Sequence, residues 1–239
     1  MTKRYGAVDA LAGVDLDIHA GDVIAICGDN GAGKSTLIKI MSGAEIASGG
    51  EIALAGSRVS FRSPHDALAH GVATIYQDLA LAPRLSIAAN IFMGAELTRP
   101  LLGRFVSVLD KPRMAELASA YLKRLAINIE DMSTPVERLS GGQRQAVAIS
   151  RALRWNAKVI IMDEPTAALG VRETAVVLDL IPRLRETGHT IVLISHSMAD
   201  VVAVATRVAI LKSGRKVYDS QAKGLTAGQL ASLVMSGGK

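Results

Sequence analysis

The residues Gly28-Asp29-Asn30-Gly31-Ala32-Gly33-Lys34-Ser35-Thr36 spell GxxxxGKST, and a second glycine loop, Leu139-Ser140-Gly141-Gly142-Gln143, lies downstream. Glycines let backbone N–H groups turn inward around an anion, so each loop is a candidate phosphate cradle. In the first, Gly28 to Thr36 would wrap nucleotide phosphates, with Lys34 reaching the β- and γ-phosphates. Ser35 would offer its hydroxyl to Mg²⁺, a hard cation that takes few protein ligands and completes its octahedron with phosphate oxygens and water. The two loops together are far more specific than either alone.

A P-loop needs a strand before it and a helix after it. The apolar run Val23 to Cys27 precedes Gly28, and Leu37-Ile-Lys-Ile-Met41 follows Thr36. The alternative is a glycine-rich turn with an exposed lysine, which does not account for Lys-Ser-Thr in register between strand and helix. Farther along, Val159 to Met162 would deliver Asp163 and Glu164 to a strand end, where open α/β sheets place ligands. Asp163 suits the Mg²⁺ shell, and Glu164 suits a general base polarising the attacking water. A pair of helix-capping acids before Pro165 is the competing reading. Gln77, at the end of the strand Gly71–Tyr76, could orient that water or contact the metal. His196 follows the strand Thr190–Ile194 and could bond the γ-phosphate. His19, His65, His70 and His189 read as surface histidines.

The segment from Leu139 opens a helix running through Arg144 to Leu153, so Ser140 and the N–H groups of Gly141 and Gly142 would form a second anion-binding helix terminus. A chain that already has one P-loop gains from this second loop if it closes over the γ-phosphate of another copy. That arrangement predicts a head-to-tail dimer with two ATP molecules between protomers, Ser140 to Gln143 making the contact in trans.

Composition bounds the rest. The chain has 239 residues, 49% of them hydrophobic but only 3% aromatic. Its core is therefore built from Ala, Val, Ile and Leu, which suits a parallel sheet buried on both faces. No run approaches the roughly 18 apolar residues of a spanning helix. Asp9, Asp15 and Asp17 spoil a signal-peptide centre, so a cytoplasmic location is expected. Cys27 is the only cysteine, which excludes an internal disulfide and suggests a small buried hydrophobe. Net charge is +5, but basic residues are scattered among acidic ones, so no nucleic-acid partner is indicated.

The sequence predicts an α/β fold with a parallel, RecA-like sheet, a small antiparallel β layer and an inserted helical subdomain. Residues 1–239 form one domain in this reading, with the nucleotide-binding core at 1–79 and 156–239 and the subdomain at 80–155. Strands are expected within Leu11–Ile18 and Glu51–Phe61, and a helix over Arg62–His70 capped by Ser63. Within the subdomain, loops are expected at Pro83 and over Thr98–Gly103. Further strands are expected at Lys158–Met162, Thr190–Ile194 and Val208–Leu211, and a final helix over Gly228–Lys239 with a loose tail.

This set of motifs, in this order, resembles the nucleotide-binding subunit of an ATP-binding-cassette (ABC) transporter over essentially the whole chain. The resemblance implies that Tyr5 stacks on adenine, that Gln77 is the Q-loop residue, and that Asp163 and Glu164 end the Walker B strand. It also makes His196 the switch histidine, and Ser35, Gln77 and Asp163 the metal contacts. Gly28 to Thr36, Tyr76-Gln-Asp-Leu-Ala-Leu-Ala-Pro83 and Asp163-Glu-Pro-Thr-Ala-Ala-Leu-Gly170 are similar to the single-cassette branch of monosaccharide importers. The implied function is an ATPase motor on the cytoplasmic face of the cell membrane. Its implied partners are a second copy, permease subunits and, indirectly, a sugar-binding protein.

Soluble cassettes acting on ribosomes or DNA are the other class. They usually join two cassettes in one chain or carry a long coiled coil, for which the interval from Gln77 to Leu139 has no room. An ordinary P-loop kinase leaves the second loop and His196 unexplained. Three departures stand out. Gly170 replaces the aspartate that usually spans the dimer interface, Thr2 to Arg4 leave little room for a strand before Tyr5, and no regulatory module is recognisable after the last helix.

Overall fold

The computed structural model describes residues 1–101 and 106–238. Its strands are β1 Thr2–Tyr5, β2 Val8–Ala12, β3 Val23–Cys27, β4 Ile52–Leu54, β5 Ser57–Val59, β6 Val72–Ile75, β7 Thr98–Leu101, β8 Val106–Leu109, β9 Val159–Asp163, β10 Thr190–Ile194, β11 Arg207–Lys212 and β12 Arg215–Gln221. The helices are α1 Lys34–Met41, α2 Pro64–Ala69, α3 Ile87–Phe92, α4 Lys111–Arg124, α5 Gly141–Arg154, α6 Val171–Glu186, α7 Met198–Val204 and α8 Ala227–Ser236.

Two compact units emerge. One comprises Met1–Gln77, Ala157–Pro165 and Ile181–Lys239, the other Asp78–Asn156 and Thr166–Leu180, so the division falls inside α6. The first unit is built on a six-stranded sheet in the order β12-β11-β3-β10-β9-β6. All neighbours are parallel except the β11–β12 pair. Every residue of β3 and β10 is buried, as a parallel sheet covered on both faces requires, and these strands contain only Val, Ile, Leu, Ala, Thr and Cys. β-Branched and small aliphatic side chains pack a two-sided layer without aromatic bulk. One buried cluster joins Ile24, Ile26, Ile161, Val192 and Ile194 to Leu37 and Ile38 of α1, and another sets Ala25, Cys27 and Val208 against Val201, Leu230 and Val234.

Several expectations shift. The strand placed within Leu11–Ile18 is Val8–Ala12, paired antiparallel with β1 through a register shift, and a four-residue strand does fit before Gly6. The β layer is two separate two-stranded sheets, β1–β2 and β4–β5. β6 is the edge strand of the main sheet, and β12, rich in polar residues, gave no clear apolar pattern. Thr98–Leu101 is a strand of the β7–β8 hairpin rather than loop; residues 102 and 103 of that expected loop lie outside the described residues. The last helix ends at Ser236 with Gly237 in a left-handed cap, and Lys239 lies outside the described residues. α2 begins as expected, with Ser63 Oγ accepting from Asp66 N–H and Pro64 in the first turn.

In the second unit, α3, α4 and α5 share a core that includes Ile87, Ile91, Phe92, Met114, Ala118, Leu122, Ala146 and Ile149. No helix among the described residues is long and apolar enough to cross a membrane.

Candidate functional site

The first unit gathers the expected catalytic groups at the carboxyl ends of adjacent parallel strands. β3 ends at Cys27, and the chain turns through Gly28–Gly33 into α1. Gly33 is the N-cap residue of α1 at φ +103°, a left-handed conformation that a side chain would strain, and no side chain caps this helix. A Cβ there would lie 2.7 Å from Ala10 O and 2.8 Å from Leu11 Cδ2, so β2 closes against the loop only because position 33 is bare. Lys34 is 7% exposed, and its Nζ donates to the carbonyls of Gly28 at 2.6 Å and Asp29 at 3.0 Å. Burial pulls its pKa down, and the nearby carboxylates of Glu164, Asp29 and Asp163 oppose that shift. The lysine is thus a tethered cation surrounded by acceptors. Ser35 and Thr36 follow it in the first turn of α1.

Two strands away, β9 delivers Asp163, whose carboxyl pKa is raised by burial and lowered in smaller measure by Lys34 and His196. Glu164 is next, in a left-handed conformation at φ +52°, with its N–H donating to Ile194 O at 2.9 Å. Non-glycine residues seldom hold this conformation, and the bond to β10 fixes it here. The same strand β10 leads to His196. His196 N–H donates to Glu164 Oε2 at 3.3 Å, and its Nε2 lies 3.1 Å from Oε1. That oxygen is buried and, among the described residues, makes no hydrogen bond of acceptable geometry, although the ion-pair distance is short. A buried carboxylate oxygen with an unsatisfied lone pair, aligned by a histidine, suits a base awaiting a proton. The histidine is 57% exposed and the glutamate 16%, so the pair presents its imidazole side to solvent.

Gln77 is exposed just beyond β6, two residues after Ile75. The side chains of Ser35, Gln77 and Asp163 carry hydroxyl, amide and carboxylate oxygens, hard donors with a single carboxylate that would suit Mg²⁺ better than a softer metal. A bound cation would oppose the burial-driven rise in the Asp163 pKa. Among the described residues no three His, Cys, Asp or Glu side chains converge into a protein-only metal cage. Tyr5 is 43% exposed at the end of β1, with Lys3 Nζ 4.9 Å from its ring centroid. The cation covers one aromatic face.

In the second unit, Ser140 caps α5 with a reciprocal box: its Oγ accepts from Gln143 N–H at 3.3 Å, and Gln143 Oε1 accepts from Ser140 N–H at 3.0 Å. Gly141 N–H donates to Glu173 Oε1 at 2.6 Å. A Cβ on Gly141 would collide with Leu169, and one on Gly142 would sit 3.3 Å from Val176. The paired glycines therefore seat α5 against the Leu169–Val176 segment, a packing role beside any role toward a ligand.

Three participants escaped the sequence reading. Asn90 is fully buried, accepts from Ala82 N–H at 2.7 Å and donates to the carbonyls of Ala82, Leu85 and Ser86. Arg151 donates to Leu79 O and Ala80 O, bracing the residues just after Gln77. Glu173 is the third. A buried asparagine in an apolar helix, Ile87-Ala-Ala-Asn-Ile-Phe92, was the one signal in the sequence that could have flagged any of them. His189 is half-buried rather than a surface histidine, its Nδ1 lying 2.8 Å from Ala157 O.

A P-loop, a paired acid at the end of a parallel strand and a second glycine-opened helix define a nucleotide-binding cassette of the α/β class. The chain belongs to the ABC transporter family, whose model matches residues 11–167. It is 49% identical over 91% of its length to the fructose import ATP-binding protein FrcA of Rhizobium meliloti, covering 84% of that protein. It is 46% identical over 90% of its length to the xylose/arabinose import ATP-binding protein XylG of Sulfolobus acidocaldarius, again covering 84% of the relative. Against the ribose import ATP-binding protein RbsA 2 of Escherichia coli O157:H7 it is 40% identical over 98% of its length but spans only 45% of that protein. Among solved structures, a nucleotide-free ATP-binding cassette from an ABC transporter shares the fold at a TM-score of 0.80 and 24% identity, covering 98% of this chain and 92% of the other. A dimeric cassette in a post-hydrolysis state with ADP and Pi matches at 0.73 and 25% identity, covering 94% and 96%.

Proposed function

We propose that this chain is the ATP-hydrolysing motor subunit of an importer that takes up a monosaccharide through a membrane permease. The observation that carries the reading is the grouping of Lys34, Asp163, Glu164 and His196 at the strand ends of one sheet, in a chain whose relatives of matching length import fructose, xylose or arabinose.

The chemistry follows from these positions. The Nζ donors of Lys34, now on two loop carbonyls, turn to β- and γ-phosphate oxygens, while the uncapped start of α1 directs its N–H groups at the same charge. Tyr5 stacks its open face on the base. Glu164 takes the proton of a water that attacks the γ-phosphorus; the bond to the β-phosphate oxygen breaks, leaving ADP and inorganic phosphate. His196 holds the glutamate and reaches the γ-phosphate. Ser35, Gln77 and Asp163 would hold Mg²⁺, which neutralises charge on the phosphates when bound. Ser140 to Gln143 meet the γ-phosphate bound by a second copy, so ATP closes a head-to-tail dimer.

Residues 80–155 serve as the helical subdomain. Leu81 to Leu85, shaped by Asn90, form the rim that meets the permease at the cytoplasmic face of the membrane, and a sugar-binding protein supplies the cargo. Co-purification with a permease encoded nearby, then ATPase assays across monosaccharides delivered by the cognate binding protein, test this directly. Stimulation by one pentose or hexose is expected. An ATPase indifferent to permease and every sugar, yet stimulated by ribosomes or DNA, would overturn it.

A further inference from the structure

We propose that Glu173 is a positioning residue that holds the start of α5 in register with the loop after Glu164, inside one chain. The inference rests on the reading of Ser140 to Gln143 as the contact with a partner copy's γ-phosphate. Glu173 lies in the first turn of α6 and uses both carboxylate oxygens: Oε1 accepts from Gly141 N–H at 2.6 Å, and Oε2 accepts from Gly170 N–H at 3.2 Å. Bonds from neutral N–H groups to an ionised acceptor are the stronger kind, and negative charge is favoured at a helix N-terminus.

The surroundings leave this arrangement little freedom. Gly141 has no room for a side chain between Leu169 and the Glu173 carboxylate, and Gly142 sits against Val176. The capping box fixes Ser140 and Gln143, and Glu173 fixes the residue between them and ties it to Gly170. The carboxylate three residues beyond Gly170 accepts from the Gly170 N–H itself. One carboxylate therefore links Gly170 to Gly141, the residue next to Ser140.

The opposite role can be separated by experiment. If the carboxylate instead blocked the phosphate, removing its charge would tighten closure. Full-length protein carrying Glu164→Gln, to stop turnover, serves as the parent, and the ATP concentration for half-maximal dimer is read by size-exclusion chromatography. Adding Glu173→Ala should raise that concentration on the order of ten-fold, as expected for losing a charge-assisted bond, while monomer nucleotide affinity stays within about two-fold and Gly141 amide exchange accelerates. Glu173→Gln, which keeps one acceptor, should recover most of the loss; it also carries the test if the alanine variant does not fold. Closure of Glu173→Ala equal to the parent, or tighter closure with Glu173→Gln, overturns the positioning role. Ser140→Arg separates the two levels. If it blocks closure while Glu173→Ala does not, only the positioning role fails; if neither variant alters closure, the contact in trans is wrong.

Discussion

The P-loop and the Leu139–Gln143 segment both use glycines to open a helix, but they leave their helix ends in different states. α1 starts from Gly33 in a left-handed conformation with no side-chain cap, and Lys34 is tied to loop carbonyls that phosphate oxygens can replace. α5 starts from Ser140 with a complete capping box, and Gly141 N–H is taken by Glu173. Two loops of similar composition thus differ in what occupies the donors of the first turn. An uncapped terminus gains the most when an anion arrives, because no side-chain cap has to be displaced from its donors. A capped terminus gains less but keeps its shape, which suits a surface that must meet another molecule already formed. Under the proposed function the P-loop would bind and the second loop would present.

The contrast can be broken most severely beside the P-loop. Glu164→Gln should reduce turnover by roughly 10²–10⁴-fold, the range for a positioned base, while ATP-dependent dimers accumulate on size-exclusion chromatography. Normal hydrolysis would place the base elsewhere. Lys34→Ala should weaken ATP binding on the order of 100-fold, because two charge-assisted phosphate contacts vanish at once. Titration with a fluorescent nucleotide checks this, and affinity within about two-fold of the parent would remove the lysine from the site.

At the second loop the effects should be structural first. Gly141→Ala places a methyl against Leu169 and Glu173, so a destabilisation of about 1–3 kcal/mol is expected in urea melts, as for an overpacked site. Ser140→Ala loses the cap and should cost about 1 kcal/mol by the same measurement, with monomer ATP affinity unchanged. If Ser140→Ala altered monomer affinity instead, the division between binding and presenting would collapse.

The smallest effect sharpens the electrostatics of the first site. Asp163 has a raised pKa in the folded protein, so above its usual value the folded state binds more protons at this group than the unfolded state. Its contribution to stability therefore falls as pH rises from about 4 through the raised pKa. Asp163→Asn should flatten that part of the pH–stability profile and make the nucleotide-free protein slightly more heat-resistant at neutral pH. An unchanged profile would mean that Asp163 titrates as it does in the unfolded chain.

Much of the first unit was legible because its strands are continuous apolar runs and its chemistry sits at their ends: Val23–Cys27, Val159–Asp163 and Thr190–Ile194 fall within a residue of their expected bounds. The pairing of Glu164 with His196 was not legible, since it depends on β9 and β10 being neighbours in the sheet and on a left-handed turn at Glu164. The β7–β8 hairpin was missed because Thr98-Arg-Pro-Leu101 lacks alternation and carries a proline, which sits comfortably only where a strand has an open edge. Asn90, Arg151 and Glu173 act on backbone carbonyls and N–H groups, partners that no residue pattern reveals. Tyr5 was legible as a ring near the start of the chain, and β1 sets it half-exposed at the strand end.

Cys27 has a practical consequence. It is completely buried at the end of β3, and burial pushes its thiol pKa up to about 12, so almost none of it is thiolate at neutral pH. Maleimide reagents should leave the native protein unlabelled without any cysteine being removed. A single cysteine introduced at Val171, which is 89% exposed, would then carry a fluorophore or spin label alone on an otherwise unaltered background. Whether ATP changes the surroundings of that position can then be read from this one reporter.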